Sequence, residues 1–135
     1  MPALTGDRDT RRREVGLHDD PVAAGVRIWT GGLTCLDAAG NATPGATALN
    51  LTARGRAEHR VDNTAGAAGD KRLKIRAGCF RFDNLGSDPC TRAHIGQDAF
   101  IVDDQTVAAT DGTGTRSRAG RIADVDSGGV WVEIP

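Results

Sequence analysis

Apolar and polar positions alternate with a period of two in several short segments of this chain, and glycine- and aspartate-rich breaks separate the segments. That pattern predicts short β-strands joined by turns. Residues 21–29 are mostly apolar or β-branched and run into Gly31-Gly32, which reads as one or two short strands. Residues 33–36 form a strand, residues 37–41 a turn, and residues 42–44 the returning strand of a hairpin. The turn residues Asp37, Gly40 and Asn41 tolerate left-handed backbone angles. In residues 49–62, Ala53, Gly55, Ala57 and His59 share one parity, and Arg54, Arg56, Glu58 and Arg60 share the other. This is a strand with one small-residue face and one charged face. A small-residue loop covers residues 63–70.

Residues 71–82 carry the clearest strand pattern. Leu73, Ile75, Ala77 and Cys79 face one way, and Arg72, Lys74 and Arg76 the other. After Gly78 the bulky positions become Phe80 and Phe82, so the parity flips. A glycine at such a flip predicts a bulge or a sheet corner. Residues 83–88 turn, and 91–96 suit one helical or 3-10 turn. Residues 99–102 and 106–110 are short strands, and 111–115 a flexible loop. The last hairpin pairs 119–125 with 130–134 around a turn at 126–129, with Val130, Val132 and Ile134 facing inward. About eight or nine short strands in this arrangement predict an all-β barrel or sandwich.

Residues 1–20 differ from everything that follows. Charged residues crowd the segment, and its sparse apolar residues show neither a 3.6 nor a 2.0 period. It cannot pack a core by itself and reads as a disordered tail or an extended arm lying on a partner. The expected organisation is therefore an arm over 1–20 and a β-rich domain over 21–135. The run Arg11-Arg12-Arg13 invites a nucleic-acid reading, but acidic neighbours on both sides dilute it.

Composition narrows the function. A chain of 135 residues makes one domain able to bury roughly two-thirds of its unfolded surface. The net charge of -1 argues against a general nucleic-acid-binding surface. No apolar run approaches the ~18 residues of a membrane-spanning helix, and the charged N-terminus has no apolar stretch behind it that would make a secretory signal. Glycine, at 18 residues, is about twice its usual share, which fits many turns. Aromatic residues are only 4%, so the core is expected to be built from Val, Ile, Leu and Ala, and few aromatics remain to line a ligand pocket. Trp29 belongs either in the core, the first expectation, or in a seam between subunits. Cys35, Cys79 and Cys90 lack close ligand spacing, so zinc held by them and His94 is not expected. Cys35 and Cys79 lie in apolar stretches and read as reduced, buried thiols.

No catalytic arrangement is evident: there is no G-x-S-x-G, H-E-x-x-H or G-K-[ST] motif. The loop Gly112-Thr113-Gly114 precedes a strand rather than a helix, so it lacks the helix N-terminus of a phosphate cradle. Asp98, Asp103, Asp104, Asp111, Asp124 and Asp126 do not follow calcium-loop spacing, and most sit where strands end, as turn residues do. His18, His59 and His94 are far apart, and Ser87, Ser117 and Ser127 have no assignable base. No enzyme activity and no cofactor are expected.

Several segments carry a family resemblance. They are residues 55–70 (GRAEHRVDNTAGAAGD), 77–82 (AGCFRF), Ile95-Gly96, 99–108 (AFIVDDQTVA), 118–126 (RAGRIADVD) and Gly129-Val130-Trp131-Val132. Together they resemble the capsid decoration, or cement, proteins of Mu-like and related tailed phages and prophages, over roughly residues 20–135. Cys79 and Cys90 stand where Val or Ala is expected, a departure that bears on packing. The resemblance implies a compact β-barrel or β-tulip-like body that binds the outer surface of a capsid, made in the host bacterial cytoplasm. It also implies a homotrimer at three-fold and quasi-three-fold positions, with the major capsid protein as partner and neither nucleic acid nor membrane. In such proteins the arm extends over neighbouring subunits or adds a strand to them. The arm residues expected to contact the capsid protein are Leu4, Arg8, Arg11, Arg12, Arg13 and Val15. The alternative is another virion β-module, in a tail or baseplate or binding a host surface.

Overall fold

The computed structural model describes residues 2–13 and 15–135. Among these, pairing produces twelve strands: β1 (Leu17–Pro21), β2 (Arg27–Ile28), β3 (Leu33–Leu36), β4 (Ala42–Pro44), β5 (Thr52–Ala57), β6 (Val61–Asp62), β7 (Arg72–Arg76), β8 (Gly78–Asn84), β9 (Asp98–Ile101), β10 (Thr106–Ala108), β11 (Arg118–Asp126) and β12 (Gly129–Ile134). One 3-10 turn, Arg92–His94, lies before β9, inside the segment expected to make a single turn. The all-β expectation holds. The strands outnumber the expected eight or nine partly because β2 and β6 are two residues each, too short to show a period.

The strands form two main units. A five-stranded antiparallel sheet has the order β1-β7-β5-β3-β4, and a closed five-stranded barrel has the order β10-β8-β12-β11-β9. The barrel is antiparallel except where β10 runs parallel to β8. The short pair β2-β6 stands beside the sheet. Both expected hairpins form, β3-β4 and β11-β12. Asp37 closes the first by accepting the amides of Ala39 and Asn41 at 2.9 and 3.0 Å.

Each unit has its own core. Val22, Ile28, Ala42, Ala57, Val61, Leu73 and Ile75 pack under the sheet. The other core fills the barrel, with Val130, Val132 and Ile134 buried as their alternation predicts. Leu33 and Cys35 of β3 belong to the barrel core, so the sheet and barrel share an apolar seam. Ser117 ties the units with hydrogen bonds, donating to the Ala48 carbonyl at 2.7 Å and accepting the Leu51 amide at 3.1 Å.

Gly78 is the corner its parity flip predicts. Its φ of +155° is a conformation few other residues adopt, and there the chain leaves β7 in the sheet for β8 in the barrel. The same flip corrects the expectation for Cys79. It does not continue the buried face of Leu73 and Ile75 but is exposed, opposite Glu133 of β12. Cys35 and Cys90 are the buried thiols, and burial pushes the Cys35 thiol up to about 12.

The domain boundary also moves. Residues 17–20 are not arm: all of β1 pairs with β7, from Leu17 opposite Arg76 to Pro21 opposite Arg72. No sequence period marks this strand because its Asp19 and Asp20 find their partners, Arg72 and Arg54, far along the chain.

Candidate interaction surface

The arm projects from the edge strand. The Gly16 carbonyl accepts the Ala77 amide at 2.7 Å, next to the first residue pair of β1. Residues 2–13 and Val15 are exposed at every position. Leu4 is 71% exposed and Val15 94%. Arg8, Arg11, Arg12 and Arg13 are all exposed too. Burial, and after it the nearby charges of Arg54 and Arg13, disfavours protonation of the His18 ring. The six expected contact residues therefore lie along one exposed segment rather than converging on a pocket. Covering an exposed Leu or Val side chain is worth roughly 1.5–3 kcal/mol, so this segment gains on meeting a partner.

Beside the arm's exit lies a charged sheet face. Arg56 and Arg76 are cross-strand neighbours, and Arg72 and Lys74 share their side. Leu17, 42% exposed, lies opposite Arg76, and Asp19 opposite Lys74. Ion pairs stitch the face together, Arg72 to Asp19 at 3.1 Å and both Arg56 and Arg76 to Glu58 at 3.0 Å. The hydrogen bond from Arg56, reinforced by Arg76, holds the Glu58 carboxyl below its ordinary range.

Trp29 is not in the core, which corrects the first expectation for it. Arg27 is exposed and Ile28 buried, so the alternation of β2 turns the next residue outward, and Trp29 is 50% exposed. The Arg27 guanidinium lies 5.2 Å from its ring centroid and pairs with Asp62 at 2.6 Å. The indole separates two surface depressions. One is lined by Arg27, Arg60, Val61 and Asp62, the other by Gly31, Gly32, Asp104 and Gln105. Neither depression was legible in the sequence, where Trp29 and Asp104 are 75 positions apart.

Most of the other candidates have structural partners. The loop at 111–115, expected to be flexible, is folded back on itself: the amides of Thr115 and Arg116 donate to the Asp111 carbonyl at 2.9 and 3.0 Å. Asp88 anchors it, accepting Arg116 at 2.9 Å together with the hydroxyl and amide of Thr110. Asp98 and Asp124 pair with Arg118 and Arg92, Asp103 accepts the Gln105 amide, and Asp126 accepts the Gly128 amide in the last turn. His59 accepts the Lys74 amide and His94 the Thr91 amide. Among the described residues, no three His, Cys, Asp or Glu side chains are grouped to hold a metal ion. No helix among them is long and apolar enough to cross a membrane. No protein-family model, curated protein or solved structure matches this chain.

Proposed function

We propose that this chain is a capsid decoration protein, a structural virion component that binds the outer shell of a tailed phage and cements neighbouring major capsid protein subunits. The observation that carries the reading is the arm: a charged segment with exposed Leu4 and Val15, projecting from the edge strand of a β-body with two packed cores. A segment of this composition becomes ordered by lying on a partner, and backbone pairing with a neighbouring sheet edge needs no apolar stripe. The resemblance of residues 55–70, 99–108 and 118–126 to decoration proteins supports the same reading, and with it a β-tulip-like body and a trimer at three-fold positions. Each contact across a seam is modest. Many symmetric copies add through multivalency and resist the outward pressure of packaged DNA.

The test is binding to purified, expanded shells of the virus that encodes the chain, with copy number read by quantitative mass measurement. The full chain is compared with a variant lacking residues 1–13, which keeps β1. Saturable binding near one trimer per three-fold position, weakened by the deletion, is the expected result. Absence from shells, with recovery in tail fractions, would overturn the reading in favour of a tail or baseplate module.

A further inference from the structure

We propose that Trp29 is a stacking platform for a neutral saccharide, which lies on the indole with its hydroxyls hydrogen-bonded to Asp104 and Gln105. The chain has only two tryptophans and leaves this one half-exposed, outside both packed cores. Its position is nonetheless braced. The Thr64 amide and hydroxyl donate to Asp62 Oδ1 at 3.0 and 2.6 Å, and Asp62 Oδ2 accepts Arg27 at 2.6 Å. The Arg27 guanidinium in turn lies over the indole, 5.2 Å from its centroid. Three residues thus steady a ring that fills no core. Such support serves a ligand, because a group already held in place loses little freedom when something binds to it. Arg27 lines the first depression and not the second, so the ring is open toward the second.

The second depression is built on fixed backbone. The Gly31 amide donates to the Ala57 carbonyl at 2.9 Å, the Gly32 amide to the Trp29 carbonyl at 3.1 Å, and the Leu33 amide to the Asp104 carbonyl at 2.8 Å. The Gln105 amide donates to the Asp103 carboxylate at 2.9 Å, and its carbonyl accepts the Asp83 amide at 2.7 Å. A Cβ on Gly32 would stand 3.2 Å from the Trp29 carbonyl oxygen and 3.8 Å from the Asp104 Cβ, so the glycine keeps the floor beside the ring low. The side chains above this floor hold nothing. Among the described residues, neither the Asp104 carboxylate nor the Gln105 carboxamide has a hydrogen-bond or ion-pair partner. Together they offer several acceptors and an N–H donor group to neighbouring hydroxyls.

The surroundings select the ligand. No other exposed large apolar side chain lines either depression, so the ring is an island in a polar surface. A protein contact centred on it would lack the apolar core that such contacts have. Asp104, with Asp103 next to it in the chain, repels phosphates and carboxylates, and Arg27 over the ring repels a cation. A neutral molecule with one flat C–H face and a rim of hydroxyls meets every requirement. A β-linked pyranose of gluco or galacto configuration has that form: its axial hydrogens cover the indole while its equatorial hydroxyls reach the carboxylate and the carboxamide. The inference goes beyond the shell-binding reading and is tested without shells.

The experiment is titration of the full chain with cellotetraose, chitotetraose and β-linked galactotetraose, followed through the two indole N–H signals by NMR. Trp29→Ala assigns the signals. Trp131, whose indole nitrogen donates to Asp126 at 3.0 Å, is the internal control. The expected result is a saturable shift of the Trp29 signal with at least one of these sugars, no shift at Trp131, and no dependence on salt, because the ligand carries no charge. Asp104→Ala is expected to weaken binding at least about fivefold and Gln105→Ala by less, with the thermal midpoint unchanged because neither side chain holds the fold. Trp29→Phe keeps part of the affinity and Trp29→Ala none. No shift with any of the three sugars up to their solubility limits overturns the proposal, as does a shift that Asp104→Ala and Gln105→Ala leave unchanged. A response to oligothymidylate or to an alginate tetrasaccharide alone overturns it too, since those ligands are anionic. Each of these failures leaves the decoration reading standing, because shell binding is read in a separate assay.

Discussion

Arg54 grips Asp20 with a fork: its Nε donates to Asp20 Oδ2 at 2.8 Å and its Nη2 to Oδ1 at 3.2 Å. The pair joins the edge strand β1 to β5 across β7, and the Asp20 side chain is only 13% exposed. Paired hydrogen bonds between charged groups in such a setting are worth about 1.5–3 kcal/mol. Asp20→Ala is expected to lower the unfolding free energy by about that amount in urea denaturation. Arg54→Met added to it recovers part of the loss, because it removes the orphaned cation.

The Asp88 anchor gives the 111–116 loop an acid limit. The Thr110 hydroxyl, then the Thr110 amide and Arg116, hold the Asp88 carboxyl below its ordinary range. A depressed carboxyl stabilises the fold at every pH above its unfolded value, about 3.9, and that contribution is lost as pH falls through the lower folded value. Hydrogen exchange at the Thr115 and Arg116 amides is expected to stay slow down to that range. In Asp88→Asn it is expected to be fast already at neutral pH.

Thiol labelling separates the cysteines. Cys79 is exposed, whereas Cys35 and Cys90 are buried. A thiol reagent at neutral pH is expected to modify Cys79 alone in the folded chain, and all three after denaturation. Fast native labelling of Cys35, which is held near 12, would mean that the seam between sheet and barrel opens.

Core and arm substitutions are expected to have opposite signatures. Ile122 is fully buried in the barrel, so Ile122→Ala costs about 2–5 kcal/mol of stability. Leu4→Ala changes stability by less than about 0.5 kcal/mol, because the residue is largely exposed. Shell binding is expected to fall in Leu4→Ala. An unfolding midpoint that dropped with it would mean that the arm packs on the body.

What was legible in the sequence follows from how local the determining contacts are. The β3-β4 and β11-β12 hairpins carry their turn residues and their alternation within one short stretch, so both could be read directly. The corner at Gly78 announces itself by its parity flip, and the same flip turns Cys79 away from the face of Leu73 and Ile75. β1 was hidden because LHDDP looks like the charged arm before it, and only pairing with β7 and the reach of Arg54 and Arg72 make it a strand. Composition sets the charged N-terminal segment apart, and its described residues 2–13 are exposed. The Trp29 surface was not legible, because residue type argued for burial and only the alternation of β2 turns the ring outward.

The passage of the chain from β7 to β8 has a mechanical consequence. A pull on the arm enters the body at Leu17, and along the strand axis it is borne in shear by the five residue pairs joining β1 to β7. β7 runs through Ala77 and Gly78 directly into the barrel, which closes on itself and has no free edge from which to unravel. Tension on the arm is therefore passed toward the closed barrel, and the first thing to yield is the ladder of one edge strand.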